Sequence, residues 1–202
     1  MVISIKFENE FEKLITSQEV NSVNNFHKVF EENGILKKKE EYKNNIILKV
    51  IYYIGPNGNE HQVIAEILSN YSSLIGGFEI RILENIGTYK KEIQKFFSAT
   101  GIYDNFLITL LFNQENFLIY EMQEDIINGV AHYDVRKYFY DSLLNDEYEF
   151  IYNGNGELSV MKGSYPPFVA ENDFAISANE ITIYFPGFLS NNPYYQNANL
   201  LP

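Results

Sequence analysis

Large apolar residues open the chain at three- and four-residue intervals. Phe7, Phe11, Leu14 and Ile15 are followed by Val20, Val23, Phe26, Val29 and Phe30, the spacing of one helical face. Asn33 and Gly34 then supply a C-terminal stop, which predicts helix before residue 34. Beyond it the period shortens. Residues 35–42 and 46–54 are strand-like runs separated by Lys43, Asn44 and Asn45, a hairpin pattern. Gly55, Pro56, Asn57 and Gly58 mark a loop. Residues 63–68 fit either a strand or a helical turn. Residues 78–83 read as a strand between Gly76-Gly77 and a loop at 85–87. Residues 88–97 place Tyr89, Ile93, Phe96 and Phe97 on one helical face with lysines opposite, predicting an internal helix. Residues 106–112, 117–122, 132–140, 148–152 and 157–161 are short β-type runs between Asn-, Asp- or Gly-bearing turns, an antiparallel meander. A last strand is expected at 181–185, after the Pro166-Pro167 loop.

The fold class so predicted is α+β, with one large, mostly antiparallel β-sheet of meander and hairpins and with helices near the N-terminus and mid-chain. One domain is expected over residues 1–189, followed by a polar, Asn-rich, loosely held tail over 190–202. With 202 residues, 46% of them hydrophobic and including 16 Tyr and 16 Phe, the chain can bury a full core and lies outside the composition of disordered chains. Its richest apolar runs, 46–54 and 106–112, are strand-sized and far short of the roughly 18 to 20 residues of a membrane helix. The N-terminus lacks a basic start and an apolar h-region, so a cytoplasmic location without membrane attachment is expected. The absence of Cys excludes disulfides and thiolate chemistry and suits a reducing compartment.

The net charge of −12 is placed unevenly: residues 1–57 carry eight basic and eight acidic side chains, so the excess lies beyond them. Within 103–157 eleven acids face only Arg136 and Lys137. That field repels phosphate backbones, which argues against direct nucleic-acid binding, and would steer a basic protein.

Catalytic patterns are sparse. His27, His61 and His132 have no second histidine at metal-ligand spacing and no HExxH motif occurs, so neither a metal nor a cofactor is expected. His132 and Asp134 could act as base and orienter in a hydrolase, yet i and i+2 on a strand also suit a surface ion pair. The glycines of 55–59 and 153–156 lack the lysine and Ser/Thr of a P-loop and the GxGxxG of a dinucleotide fold, and read as turns. The carboxylate pairs Glu124-Asp125 and Asp146-Glu147 carry no EF-hand pattern and read as water-facing. What stands out is an interleaving of acids and tyrosines across Tyr120, Glu121, Glu124, Asp125, Tyr133, Asp134 and the segment 138–152. Tyr138, Tyr140, Asp141, Asp146, Glu147, Tyr148, Glu149 and Tyr152 therefore form the candidate partner-binding set, tyrosines supplying rigid contact area and carboxylates complementarity to Lys and Arg. The competing arrangement is a sheet with tyrosines on its half-buried face and acids on its wet one. Without a catalytic constellation the chain reads as a binding protein, with a small-molecule- or peptide-binding domain as the alternative and a hydrolase built on His132 behind it.

Two windows echo each other. Residues 30–36 leading to Glu41-Tyr42-Lys43-Asn44-Asn45 and Tyr52-Tyr53, and residues 138–141 leading to 148–158, both alternate aromatic strands with Asn-Gly turns. This resembles the hairpin grammar of MORN-like repeat proteins, a group that includes bacterial antitoxins. Asn45 stands where a glycine is expected and the chain has no Trp, so the repeat fold itself is not assigned. In style the chain resembles the immunity proteins of bacterial polymorphic toxin systems. That resemblance implies a cognate toxin as partner, such as a basic nuclease domain, neutralised by occlusion of its active site. It carries over no individual functional residue.

Overall fold

Asparagine and glycine at positive φ set the architecture. The computed structural model describes residues 2–71, 74–141, 146–163 and 174–202. Strands β1 (Ile3–Asn9), β2 (Leu14–Ile15), β3 (Asn25–Glu32), β4 (Ile35–Lys43) and β5 (Ile46–Ile54) precede helix α1 (Glu60–Asn70). Then come β6 (Phe78–Ile86), β7 (Tyr89–Phe97), β8 (Tyr103–Phe112), β9 (Leu118–Ile127), β10 (Val130–Asp141), β11 (Asp146–Tyr152), β12 (Leu158–Gly163) and β13 (Phe174–Ser177). The short helices α2 (Ala178–Tyr184) and α3 (Phe188–Asn191) follow, then a 3-10 turn, Pro193–Gln196. The thirteen strands are hydrogen-bonded in the order β13-β12-β11-β10-β9-β8-β7-β6-β5-β4-β3-β1-β2. β5 and β6 pair in parallel, with α1 in the connection that a parallel pair requires. By contacts the chain divides into two compact units, Met1–Glu84 with Glu92–Leu107, and Asn85–Lys91 with Ile108–Pro202. No helix among the described residues is long and apolar enough to cross a membrane.

The expected antiparallel hairpins are present, and their turns explain the asparagines. Asn33-Gly34 (φ 52° and 79°), Asn44-Asn45 (50° and 62°) and Asn128-Gly129 (54° and 78°) each place both central residues at positive φ, the type I′ geometry that follows the twist of a hairpin. Asn33 and Gly34 thus join β3 to β4 rather than ending a helix.

A large, mostly antiparallel sheet is present as expected, but helices are few, the fold is mostly β, and the helices that exist lie elsewhere. Where an N-terminal helix was expected the chain forms β1 to β3, and where an internal helix was expected over 88–97 it forms β7. The reason is burial on both faces. Phe26 and Val29 both lie on β3, each 5% exposed, and their spacing of three puts them on opposite faces of a strand. Phe26 stacks on Tyr42 with ring centroids 4.6 Å apart. A strand with apolar residues on both faces loses its two-residue alternation and mimics helical spacing. On β7, Phe97 stacks on Phe78 at 5.0 Å while the adjacent Phe96 packs on Phe106 at 5.5 Å. The strand expected over 181–185 lies instead within and just after α2. Ser177 and Glu180 form a capping box there, Ile181 is fully buried, and Ile183 and Tyr184 are exposed. The Pro166-Pro167 loop lies outside the described residues.

In the first unit, α1 is capped by Asn59, whose Oδ1 accepts from the Gln62 amide at 3.1 Å. It presents Val63 and Ile67 to Val50, Tyr52, Phe78, Ile80 and Phe97. The alternate residues of those strands carry charge. Glu79, 1% exposed, accepts from Lys49 and from Arg81 Nε at 2.5 Å each, and Arg81 also reaches Glu92 at 3.1 Å. Ile51, 3% exposed, lies directly opposite Glu79 in the β5–β6 pairing.

In the second unit, β10 and β11 pair in a register that sets Val135 opposite Tyr152, Lys137 opposite Phe150 and Phe139 opposite Tyr148. These residues share one face with Met161, Ile181 and Tyr195 in a single core. Gly163 belongs to that packing, since a Cβ there would stand 2.6 Å from the Tyr148 ring. Residues 190–202, expected as a loose tail, are held against this core. Tyr195 is 8% exposed, its hydroxyl donates to the Tyr138 carbonyl at 3.1 Å, and its own carbonyl accepts from the Tyr152 hydroxyl at 2.9 Å. The Ala198 amide donates to the Gly156 carbonyl at 3.0 Å. Lys137 completes the attachment. Its side chain is fully buried, Nζ donates to the Tyr194 carbonyl, and the ammonium lies 3.5 Å from the centroid of the Tyr194 ring. Among the described residues no carboxylate faces it, and burial pulls its pKa down to about 7 from 10.5.

Two predictions follow from these attachments. A Cβ at Gly34 would meet nothing within 4 Å, so Gly34→Val charges only for the backbone conformation and should lower stability by about 1–2 kcal/mol in chemical denaturation. For Lys137 the native pKa lies below the unfolded one, so between about 7 and 10.5 the unfolded chain binds more protons and stability rises with pH. Lys137→Met should therefore stabilise the protein by about 1–3 kcal/mol at neutral pH, and that advantage should shrink as pH is raised toward about 9, where the neutral amine keeps its hydrogen bond to Tyr194. Denaturant midpoints of both proteins across that pH range provide the measurement.

Candidate functional site

The strands that fill the second core with their odd or even residues turn the alternate ones outward, and those outward residues form the candidate interface. On β10, Val135, Lys137 and Phe139 face the core, so Asp134, Arg136, Tyr138 and Tyr140 occupy the other face. On β11 the core takes Tyr148, Phe150 and Tyr152, leaving Glu147, Glu149 and Ile151 beside them. β9 adds Glu121 opposite Arg136, Gln123 opposite Asp134 and Asp125 opposite His132. β12 adds Lys162 opposite Glu149.

This divides the predicted partner-binding residues. Tyr138, Tyr140, Glu147 and Glu149 share the outward face. Tyr148 and Tyr152 do not: each is 4% exposed, Tyr148 packs on Phe185 at 5.8 Å, and both belong to the core. The apolar ring with a polar tip that suggested contact area serves here to anchor the C-terminal segment. Asp141 and Asp146 pair at the ends of β10 and β11, and their side chains lie outside the described residues. Glu124 and Asp125, considered as a carboxylate pair, are consecutive on β9 and so point to opposite faces.

Hydrogen bonds fix the outward face. Arg136 holds Asp134 at 2.8 Å and Glu149 at 3.1 Å, and Lys162 approaches Glu149 at 3.6 Å. The Tyr138 hydroxyl donates to Glu121 at 3.0 Å, and Gln123 donates to the other oxygen of the same carboxylate at 2.6 Å. Burial, then the negative charge of Glu121, pushes the Tyr138 hydroxyl well above the usual tyrosine range. Tyr140 shifts the same way through burial and Glu147. Both phenols stay neutral and able to hydrogen-bond at physiological pH. Tyr140 also packs on Phe117, centroids 5.0 Å apart.

The face therefore carries Glu121, Asp125, Asp134, Glu147 and Glu149 against Arg136 and Lys162. It is net acidic, with two orientated tyrosines towards the Asp141 end of β10. The face spans four strands, so residues far apart in sequence become neighbours; Glu121, Gln123 and Lys162 lie outside the segment 138–152 and become part of the site only through strand pairing. His132 is exposed at the β9–β10 turn opposite Asp125, while Asp134 is engaged by Arg136. The base-and-orienter pairing of His132 with Asp134 is thus not formed.

No family model matches this chain, and neither a curated protein nor a solved structure is similar to it at the level searched.

Proposed function

We propose that this protein is an immunity-type inhibitor that binds a basic toxin domain, such as a nuclease, and blocks its active site. The observation that supports this is the outward face of β9 to β12, which carries Tyr138, Tyr140 and five carboxylates offset, among the described residues, by Arg136 and Lys162. Such a surface favours encounter with Lys- and Arg-rich proteins through long-range attraction. The hydrogen bonds of Glu121, Tyr138, Arg136 and Glu149 hold the side chains in place before a partner arrives, which lowers the ordering cost of association. An inhibitor of this kind needs no reacting group of its own. Its specificity resides in the match of charge positions.

The test first asks whether a toxin domain is encoded beside this chain's gene and, with that domain as partner, measures both rate constants over a salt series. Replacing Asp125 and Glu147 together by lysine should slow association about tenfold at low salt and flatten its salt dependence, with little change in dissociation. Tyr138→Ala should act on dissociation, by about 2 kcal/mol if Tyr138 is a central anchor. Association rates and salt dependence left unchanged by the charge reversals would show that this face does not bind.

A further inference from the structure

A separate group of side chains in the first unit has the donor set of a metal site. Glu8 on β1 lies directly opposite His27 on β3, and Glu41 on β4 lies opposite His27 from the other side. The hairpin loop between β1 and β2 returns Glu12 to the same place. One carboxylate oxygen each from Glu8 and Glu12 and one imidazole nitrogen of His27 lie within 4.8 Å of one another. Lys39 now supplies the positive charge there, with Nζ 2.7 Å from Glu12 and 3.1 Å from Glu8.

An independent observation concerns the imidazole. His27 Nδ1 is buried and has no hydrogen-bond partner, whereas buried polar atoms in native proteins are almost always paired with protein, water or an ion. Lys39 donates to the carboxylates, and His27 Nδ1 stays without a partner.

We propose that Glu8, Glu12 and His27 bind a divalent transition-metal ion of the zinc type. One nitrogen and two carboxylate oxygens are the mixed donors such ions take, with water completing the shell. Metal–donor distances of about 2.1 Å place tetrahedral ligands about 3.4 Å apart. The donors therefore need to close by little more than an ångström. Glu12 can supply most of that movement, since its side chain is 71% exposed. The ion would take the place of the Lys39 ammonium between the two carboxylates. Lys39 is thus the competitor built into the metal-free protein, and the site exchanges one cation for another without leaving its carboxylates uncompensated.

The experiment is a titration of the chelator-treated protein with zinc chloride by calorimetry, with the visible spectrum of added cobalt(II) as a second readout. One ion per chain is expected. Glu12→Gln, at a side chain 71% exposed, and His27→Gln should each weaken zinc binding about tenfold or more. Lys39→Met should tighten it, and His132→Gln should leave it unchanged. Absence of a zinc heat and a cobalt band, or binding that survives both Glu12→Gln and His27→Gln, would overturn the proposal and leave the group as an ion-pair cluster centred on Lys39.

Discussion

Strand register is the constraint on which the rest of this structure depends. A shift of one residue in any hairpin would exchange its buried and exposed sets. The turns prevent this, because Asn33-Gly34, Asn44-Asn45 and Asn128-Gly129 each close a two-residue loop that only one register can accept. Asparagine is the residue, after glycine, that tolerates the left-handed region through local hydrogen bonding of its short side chain.

Once register is set, each strand must satisfy two different faces with few helices to cover either. In each unit helices shield one set of residues, α1 over Val50, Phe78 and Ile80, and α2, α3 and the last 3-10 turn over Phe150 and Met161. The alternate residues include long polar side chains that pair with one another, as where Glu79 holds Lys49 and Arg81 and Arg81 holds Glu92, or where Arg136 bridges Asp134 and Glu149. Charge is therefore a structural material here as well as a recognition feature. Lys137 shows the opposite case. Its position on β10 sends an amine into the core, where among the described residues a carbonyl and tyrosine rings receive it, and burial lowers its proton affinity.

The same division assigns the two functional proposals to different materials. The acidic face of β9 to β12 acts through many weak, geometrically fixed charges, which suits recognition of a large basic surface. The Glu8, Glu12 and His27 group gathers three donors at one point, which suits a single small cation. Each stands without the other.

Much of the sheet was legible in the sequence. The hairpin of β4 and β5, the loop before α1, the strand β6 and the succession β8 to β12 follow from alternation and turn residues, which are local. Helix and strand were confused where large apolar residues served both faces of one strand, as with Phe26 and Val29 or Phe96 and Phe97, since burial on two sides erases the period that distinguishes them. The capping box of Ser177 and Glu180 was readable and marks α2; the apolar run behind it hid the signal. Composition marks an acidic, tyrosine-rich region along the chain but could not tell Tyr138 from Tyr148. That depends on which side of β10 and β11 the C-terminal segment packs, a choice made by Tyr195, Phe188 and Lys137 over separations of about fifty residues. The meeting of Glu8, Glu12 and His27 likewise needs strand pairing, because no spacing along the chain encodes it. Local patterns thus determined the turns and the strands, and only tertiary packing decided which side of each strand meets water.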